Sequence, residues 1–200
     1  MKTITRSILL VCALASLTGC LSPGSSPDVR YFRLTAPVTE PSAEPSGSSP
    51  SLVVGPMEVS PYLRRPQIAE RQGVNEIVYR EFERWAEPLE RNVTEVVAQI
   101  LSQRRGTPSI QAFSPGQPSG KESLNLPLRL EQFDLMSENA VMRATVYFPE
   151  GAPWVFQGTE PLSGSGVEED VMALNELLSR FATDLDVEIT SRNLFGGSKQ

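Results

Sequence analysis

Between Leu124 and Phe148 apolar and polar residues alternate with a period of two, and the alternation breaks step once. Leu124, Leu126, Leu128 and Leu130 share one phase, Phe133 and Leu135 take the other, and Ala140, Met142, Ala144, Val146 and Phe148 alternate again. Successive strand side chains point to opposite faces, so this pattern demands a sheet covered on one face. Keeping Phe133 and Leu135 on that face requires one extra residue, a β-bulge near Glu131 and Gln132. "SEN" (Ser137 to Asn139) then reads as the turn of a hairpin, and after "PEGAP" a further strand runs from Trp154 to Leu162.

Two helical stripes supply the cover. After Pro88, a residue suited to a first helical turn, Leu89, Val93, Val96, Val97, Ile100 and Leu101 fall on one side, and Gly106 ends the run. The second stripe starts near Val167 and holds Val171, Leu174, Leu178, Phe181, Leu185 and Ile189, with Ser165 and Glu168 as a capping box and "EED" matching the positive helix start. Upstream, "YFRL" (Tyr31 to Leu34) is a short strand, and "LVVGPMEV" (Leu52 to Val59) is a buried strand whose Gly-Pro bend marks a sheet edge. "PYLRRPQIAERQG" reads as an extended connection, because Pro61 and Pro66 discourage helix. Asn75 to Trp85 suits strand or helix; its β-rich residues favour strand to Phe82 and a turn through Trp85. "SIQAF" is another strand and "SPGQPSGKES" a loop. The fold class predicted is α+β: one domain, a mostly antiparallel sheet and two amphipathic helices on one face.

The N-terminus has a different logic. Lys2 and Arg6 precede the apolar "ILLVCALASL", which is shorter than the ~20 residues needed to span a bilayer. "LTGC" (Leu17 to Cys20) resembles the bacterial lipobox, which implies cleavage between Gly19 and Cys20, with a diacylglyceryl group on the thiol and an acyl group on the new amine. Several acyl chains hold a protein at a bilayer for good. Leu21 is not the Asp of an inner-membrane retention signal, so outer-membrane sorting is expected. The organisation expected is therefore a signal at 1–19, a lipidated tether at 20–30, a domain at 31–195 with a disordered Pro/Ser-rich insertion at 35–51, and a disordered tail at 196–200.

Composition removes whole classes of chemistry. The chain has no histidine, and its two cysteines are Cys12, in the signal, and Cys20, so the mature chain offers no Ser/His/Asp triad, imidazole or thiolate metal site, or disulfide. No cofactor is expected beyond the lipid on Cys20. Losing Lys2 and Arg6 takes the formal charge from −6 to −8, and no basic cluster overrides it, which disfavours nucleic acid. Carboxylates could still act, yet Glu76, Glu81, Glu83, Glu87 and Glu90 interleave with Arg80, Arg84 and Arg91 as on a solvated face. "NVT" at Asn92 matches a glycosylation sequon inside a helix and carries no weight. No residue is assigned to catalysis or metal binding. Tyr62, Leu63, Tyr79 and Trp85 crowd a highly charged region; they read as core filling or as an aromatic-anchored groove for a partner.

"YFRL" after a lipidated Cys, "VVGPMEVSPYLRRPQIAER", "REFERWAEPLERNVTEVVAQIL" and the final helix resemble the PqiC (YmbA-like) auxiliary lipoproteins of ABC-type transport systems. The order and spacing of "YLRRPQI" and "RWAEPL" carry the likeness, which departs mainly in the insertion from Thr35 to Ser51. The resemblance implies a non-enzymatic role at the periplasmic face of the outer membrane, alongside an inner-membrane MCE-domain protein, a permease and an ATPase that move lipids or other hydrophobic solutes. Exposed sheet edges would also permit a ring-shaped homo-oligomer. Two other readings stay open: a structural or envelope-assembly lipoprotein, and a carboxylate-dependent cell-wall hydrolase.

Overall fold

The structure, a computed structural model, describes residues 27–37, 51–116, 123–164 and 166–194. Among these, eight strands form one open sheet: β1 (Arg30–Phe32), β2 (Leu52–Val59), β3 (Gln67–Gln72), β4 (Glu76–Trp85), β5 (Ile110–Ala112), β6 (Leu124–Met136), β7 (Asn139–Val146) and β8 (Trp154–Pro161). Helices α1 (Leu89–Arg105) and α2 (Val167–Ser191) cover one face.

Strand β6 organises the sheet. β7 pairs with it antiparallel along one edge and is followed by β8, while β2 and then β3 pair with it in parallel along the other. Between β2 and β3 the chain makes a single 3₁₀ turn, Pro61–Arg64. The register of β6 against β7 shifts between Leu130 and Gln132, which is the bulge that the phase slip requires. At the same level the Ser60 N–H donates to the Leu130 carbonyl at 3.0 Å, and the Ser60 hydroxyl donates to the Glu131 carbonyl at 2.9 Å. The extra residue of β6 is thus absorbed where one neighbour hands over to the next. β4 pairs antiparallel with β3, β1 runs parallel to β4, and β5 runs parallel to the first half of β2.

The alternating residues do what their period requires. Leu126, Leu128, Leu130, Phe133 and Leu135 of β6 and Ala140, Met142, Ala144 and Val146 of β7 are buried against Leu174, Leu178, Phe181, Leu185 and Ile189 of α2 and Val93, Val97 and Leu101 of α1. Burying each of these side chains larger than alanine contributes about 1.5–3 kcal/mol. Asn92 of α1, the sequon residue, is buried and clamps the chain leaving β1: its Oδ1 accepts from the Leu34 N–H at 2.7 Å, and its amide donates to the Leu34 carbonyl at 3.1 Å. Asn175 of α2 accepts from the Thr35 N–H at 2.9 Å.

Several elements differ from the sequence reading. The extended connection after Val59 contains the 3₁₀ turn and the whole of β3. Pro66 restricts the residue before it and leaves the residues after it free to pair, and its own carbonyl accepts from the Trp85 N–H at 2.6 Å. That bond carries β4 to Trp85 in place of a turn. Pro88 is the N-cap of α1, not a residue of its first turn, whereas Gly106 closes it in the left-handed conformation as expected. Gly166 is the N-cap of α2, without a side-chain cap; Ser165 lies outside the described residues. Glu168 pairs with Arg30 across to β1, and its own backbone N–H together with that guanidinium holds its carboxyl below the usual range. The sheet edge expected at Gly55–Pro56 is local: β5 covers β2 only over Leu52–Val54. Of the predicted insertion, Thr35 and Ser51 make specific hydrogen bonds and Ala36 packs on the core, while 38–50 lie outside the described residues, as do 1–26 and 195–200.

Candidate partner-docking site

The four residues singled out by the sequence come from the 3₁₀ turn and β4, and the fold separates them by depth. Leu63 and Trp85 point into the core; Trp85 is 6% exposed, with its ring centroid 6.3 Å from that of Phe133. Tyr62 and Tyr79 stay half-buried, on the side of the sheet away from the helices. The Tyr79 hydroxyl donates to the Tyr62 carbonyl at 3.1 Å, tying the strand to the turn. The guanidinium of exposed Arg65 lies 4.6 Å from the centre of the Tyr79 ring, a cation–π contact.

Beneath this pair is a buried carboxylate. The bulge turns Phe133 and Leu135 to the helices and leaves Asp134 on the other side, fully buried. Asp134 accepts from the Tyr62 hydroxyl at 2.7 Å, from Arg71 Nη2 at 3.1 Å and from Gln132 Nε2 at 3.0 Å. Burial, reinforced by the neighbouring Asp134 charge, pushes the Tyr62 phenol well above its usual range. A phenol held neutral there acts as a clamp that fixes the turn on β6.

Replacing Tyr62 by phenylalanine is expected to cost about 1.5–3 kcal/mol, the range for a hydrogen bond to a charged group. Urea denaturation measures it. Folding keeps this phenol protonated past the unfolded value near ~10, so the clamp is complete below that pH and is lost as pH rises toward the folded value. The variant should therefore lose stability less steeply than the wild type above about pH 10.

A groove of about 490 Å³ lies between α1 and the open stretch of β2, lined by Pro56, Met57, Pro88, Arg91, Ala112 and Phe113 among others. Beside it Gly55, with φ of +112°, has room for no side chain: a Cβ there would stand 2.8 Å from Phe113 Cβ. The acids on its rim are Glu90 and Glu95, and Glu95 is held by Arg91 at 2.8 Å and Arg33 at 3.2 Å. The buried acids Asp134 and Asp170 stand elsewhere, each on an arginine; Asp170 accepts from Arg80 at 2.6 Å. Arg80 also bonds Glu70 at 3.1 Å, so its partners come from β3 and α2, not from the acids beside it in sequence. The sequence alone does not point to Asp134, because a polar residue in a slipped alternation looks solvent-facing, nor to Arg65 and Arg71, because their segment reads as an extended connection. Gly19 and Cys20 lie outside the described residues.

No curated protein matches the chain. Among solved structures it is similar to an uncharacterised protein, with a TM-score of 0.64 and 15% identity over 82% of this chain and 99% of the other. It is also similar to protein XCC0632 from Xanthomonas campestris, of the DUF330 family, with a TM-score of 0.61 and 16% identity over 79% of this chain and 93% of the other. Identities this low speak for the fold alone. The sequence match is to ABC-type transport auxiliary lipoprotein components, over residues 32–186, from the last residue of β1 to the last turns of α2. By that match, the chain belongs to the family of ABC-type transport auxiliary lipoprotein components.

Proposed function

We propose that this protein is anchored to the outer membrane through lipid on Cys20, faces the periplasm, and docks an ABC-type system that moves lipids or other hydrophobic solutes between the two membranes. The observation that carries the reading is the family match across nearly the whole folded domain. The system's partner subunit would be an MCE-domain protein held at the inner membrane, with its permease and ATPase, as the resemblance of the sequence implies. Acyl chains cross water at a high free-energy cost, so transport between membranes needs a protein bridge, and a domain tethered close to one membrane can receive its end.

The docking surface proposed is the Tyr62–Tyr79 face, with Leu63 and Trp85 supporting it from below. Its rings are pinned before any partner arrives, by the Asp134 clamp and the Tyr79–Tyr62 bond, so little side-chain freedom is lost on binding. Arg65 adds an exposed cation to an aromatic surface, a residue type enriched at interface hot spots.

Capture of an MCE-type protein by the tagged, lipidated chain in mild detergent tests the proposal. Wild type should retain it, and Arg65→Glu should reduce retention about tenfold or more. Because Arg65 is exposed and loses only its cation–π contact, the variant should keep its stability within about 1 kcal/mol. Repeated failure of the wild type to capture such a protein would favour a structural envelope lipoprotein.

A further inference from the structure

The described residues fix the direction from which the tether enters the domain. β1 is parallel to β4, with Arg30 level with Glu83 and Phe32 level with Trp85, so the chain arrives from the side on which β4 begins. β4 begins at the tip of its hairpin with β3. That tip carries Gly73, at φ of +76°, and Val74, which is 86% exposed. Met136 at the end of β6 is level with Arg71, so the β6–β7 turn projects at the same end of the sheet, and Met136 is 42% exposed. Two exposed apolar side chains thus stand at the end of the sheet from which the tether enters.

Chain length points to what that partner is. Arg30 lies ten residue steps after Cys20, and ten steps reach at most ~35 Å when extended. A register shift in β4 sets the eight steps from Arg84 back to Glu76 against five steps of β3, about 17 Å of sheet, so the reach of the tether is about twice the distance to the hairpin tip. To leave at the opposite end, it would have to double back past the whole stretch of β6 from Phe133 to Leu124, about 30 Å. The rest of the tip is short and polar, with Gln72 and Asn75, and it carries both signs: Arg71 donates to the Val74 carbonyl at 3.5 Å while Glu76 and Glu138 stand nearby, a mixture that suits a zwitterionic surface better than an anionic one.

We infer that the β3–β4 hairpin tip and the β6–β7 turn rest on the bilayer that holds the anchor, with Val74 and Met136 as its apolar contacts and a zwitterionic phospholipid surface as the occupant. This rests on reading Cys20 as lipidated. The sheet then stands on its tips, and the loop at Glu150, beside the start of β8 and the end of α2, points away from the membrane.

The test uses the full chain, matured in bacterial cells and reconstituted into phosphatidylethanolamine–phosphatidylcholine vesicles. With Cys12 cut away and Cys20 in a thioether, a cysteine introduced at Val74, Met136 or Glu150 is the one free thiol for a fluorescent label. Val74→Cys and Met136→Cys labels should be quenched at least about threefold more than the Glu150→Cys label by a quencher on the lipid acyl chains. Equal quenching at all three sites, or stronger quenching at 150, overturns the orientation. The mass of the mature N-terminal peptide separates the two readings: acylated Cys20 with reversed quenching overturns the orientation alone, whereas an unacylated Cys20 overturns the anchor and the orientation with it.

Discussion

Replacing Trp85 with alanine is expected to destabilise the domain by about 3–5 kcal/mol, the range for truncating a large aromatic in a packed core. Trp85 is 6% exposed and its indole packs on Phe133, while the backbone N–H that bonds Pro66 at the entrance to β3 is kept by alanine. Removing the indole leaves a void where β3, β4 and β6 meet, and neighbours this constrained collapse only in part. In a domain of this size the midpoint of thermal unfolding should fall on the order of 10 °C, read by circular dichroism. Partner capture should decline only in proportion to the folded fraction. A variant that stayed fully stable and yet lost its partner would instead make Trp85 a direct contact of the docking surface.

Phe181→Ala should cost as much, about 3–5 kcal/mol. Phe181 is fully buried in α2; its ring is stacked 5.8 Å from Trp154 and meets Phe156 edge-on at 5.3 Å. Such aromatic pairs add about 0.5–1.5 kcal/mol beyond area, which places the variant toward the upper end of the range. The loss should show as a lower urea midpoint and as a reduced near-ultraviolet signal from Trp154, since the stacked ring that orders the indole is gone. Met172→Ala on the exposed side of the same helix is the control. Met172 is 61% exposed, and its truncation should shift stability by no more than about 0.5 kcal/mol.

Both residues could be recognised beforehand, though for different reasons. Phe181 stands in a helical stripe whose spacing already demands burial, so its environment follows from the pattern alone. Trp85 lies among Arg80, Glu81, Glu83 and Arg84, and nothing local distinguishes an anchor of the core from an anchor for a partner. What decides it is a contact with Phe133, 48 positions away, and a hydrogen bond to the Pro66 carbonyl just ahead of β3, in a segment that the sequence pattern presents as a connection. β3 was hidden because its charged residues find partners that only the fold supplies: Glu70 meets Arg80, and Arg71 meets Asp134. Charges in a strand look solvated until those partners are known. The docking candidates were legible as residue types, but the carboxylate that holds Tyr62 in place was not, because a bulge places it on the face where the alternation leads one to expect water.

Periodicity and local chemistry by themselves determined the two helices, the hairpin of β6 and β7 with its bulge, and the further strand β8. Each depends on side chains a few positions apart, within reach of strand and helix geometry. Tertiary structure alone decided that β2 and β3 share an edge of β6, that β1 closes on β4 in parallel, and that Asn92 clamps Leu34. Those choices are settled by hydrogen bonds and burial between segments tens of residues apart, where many pairings satisfy the same local pattern and only the assembled fold tells them apart.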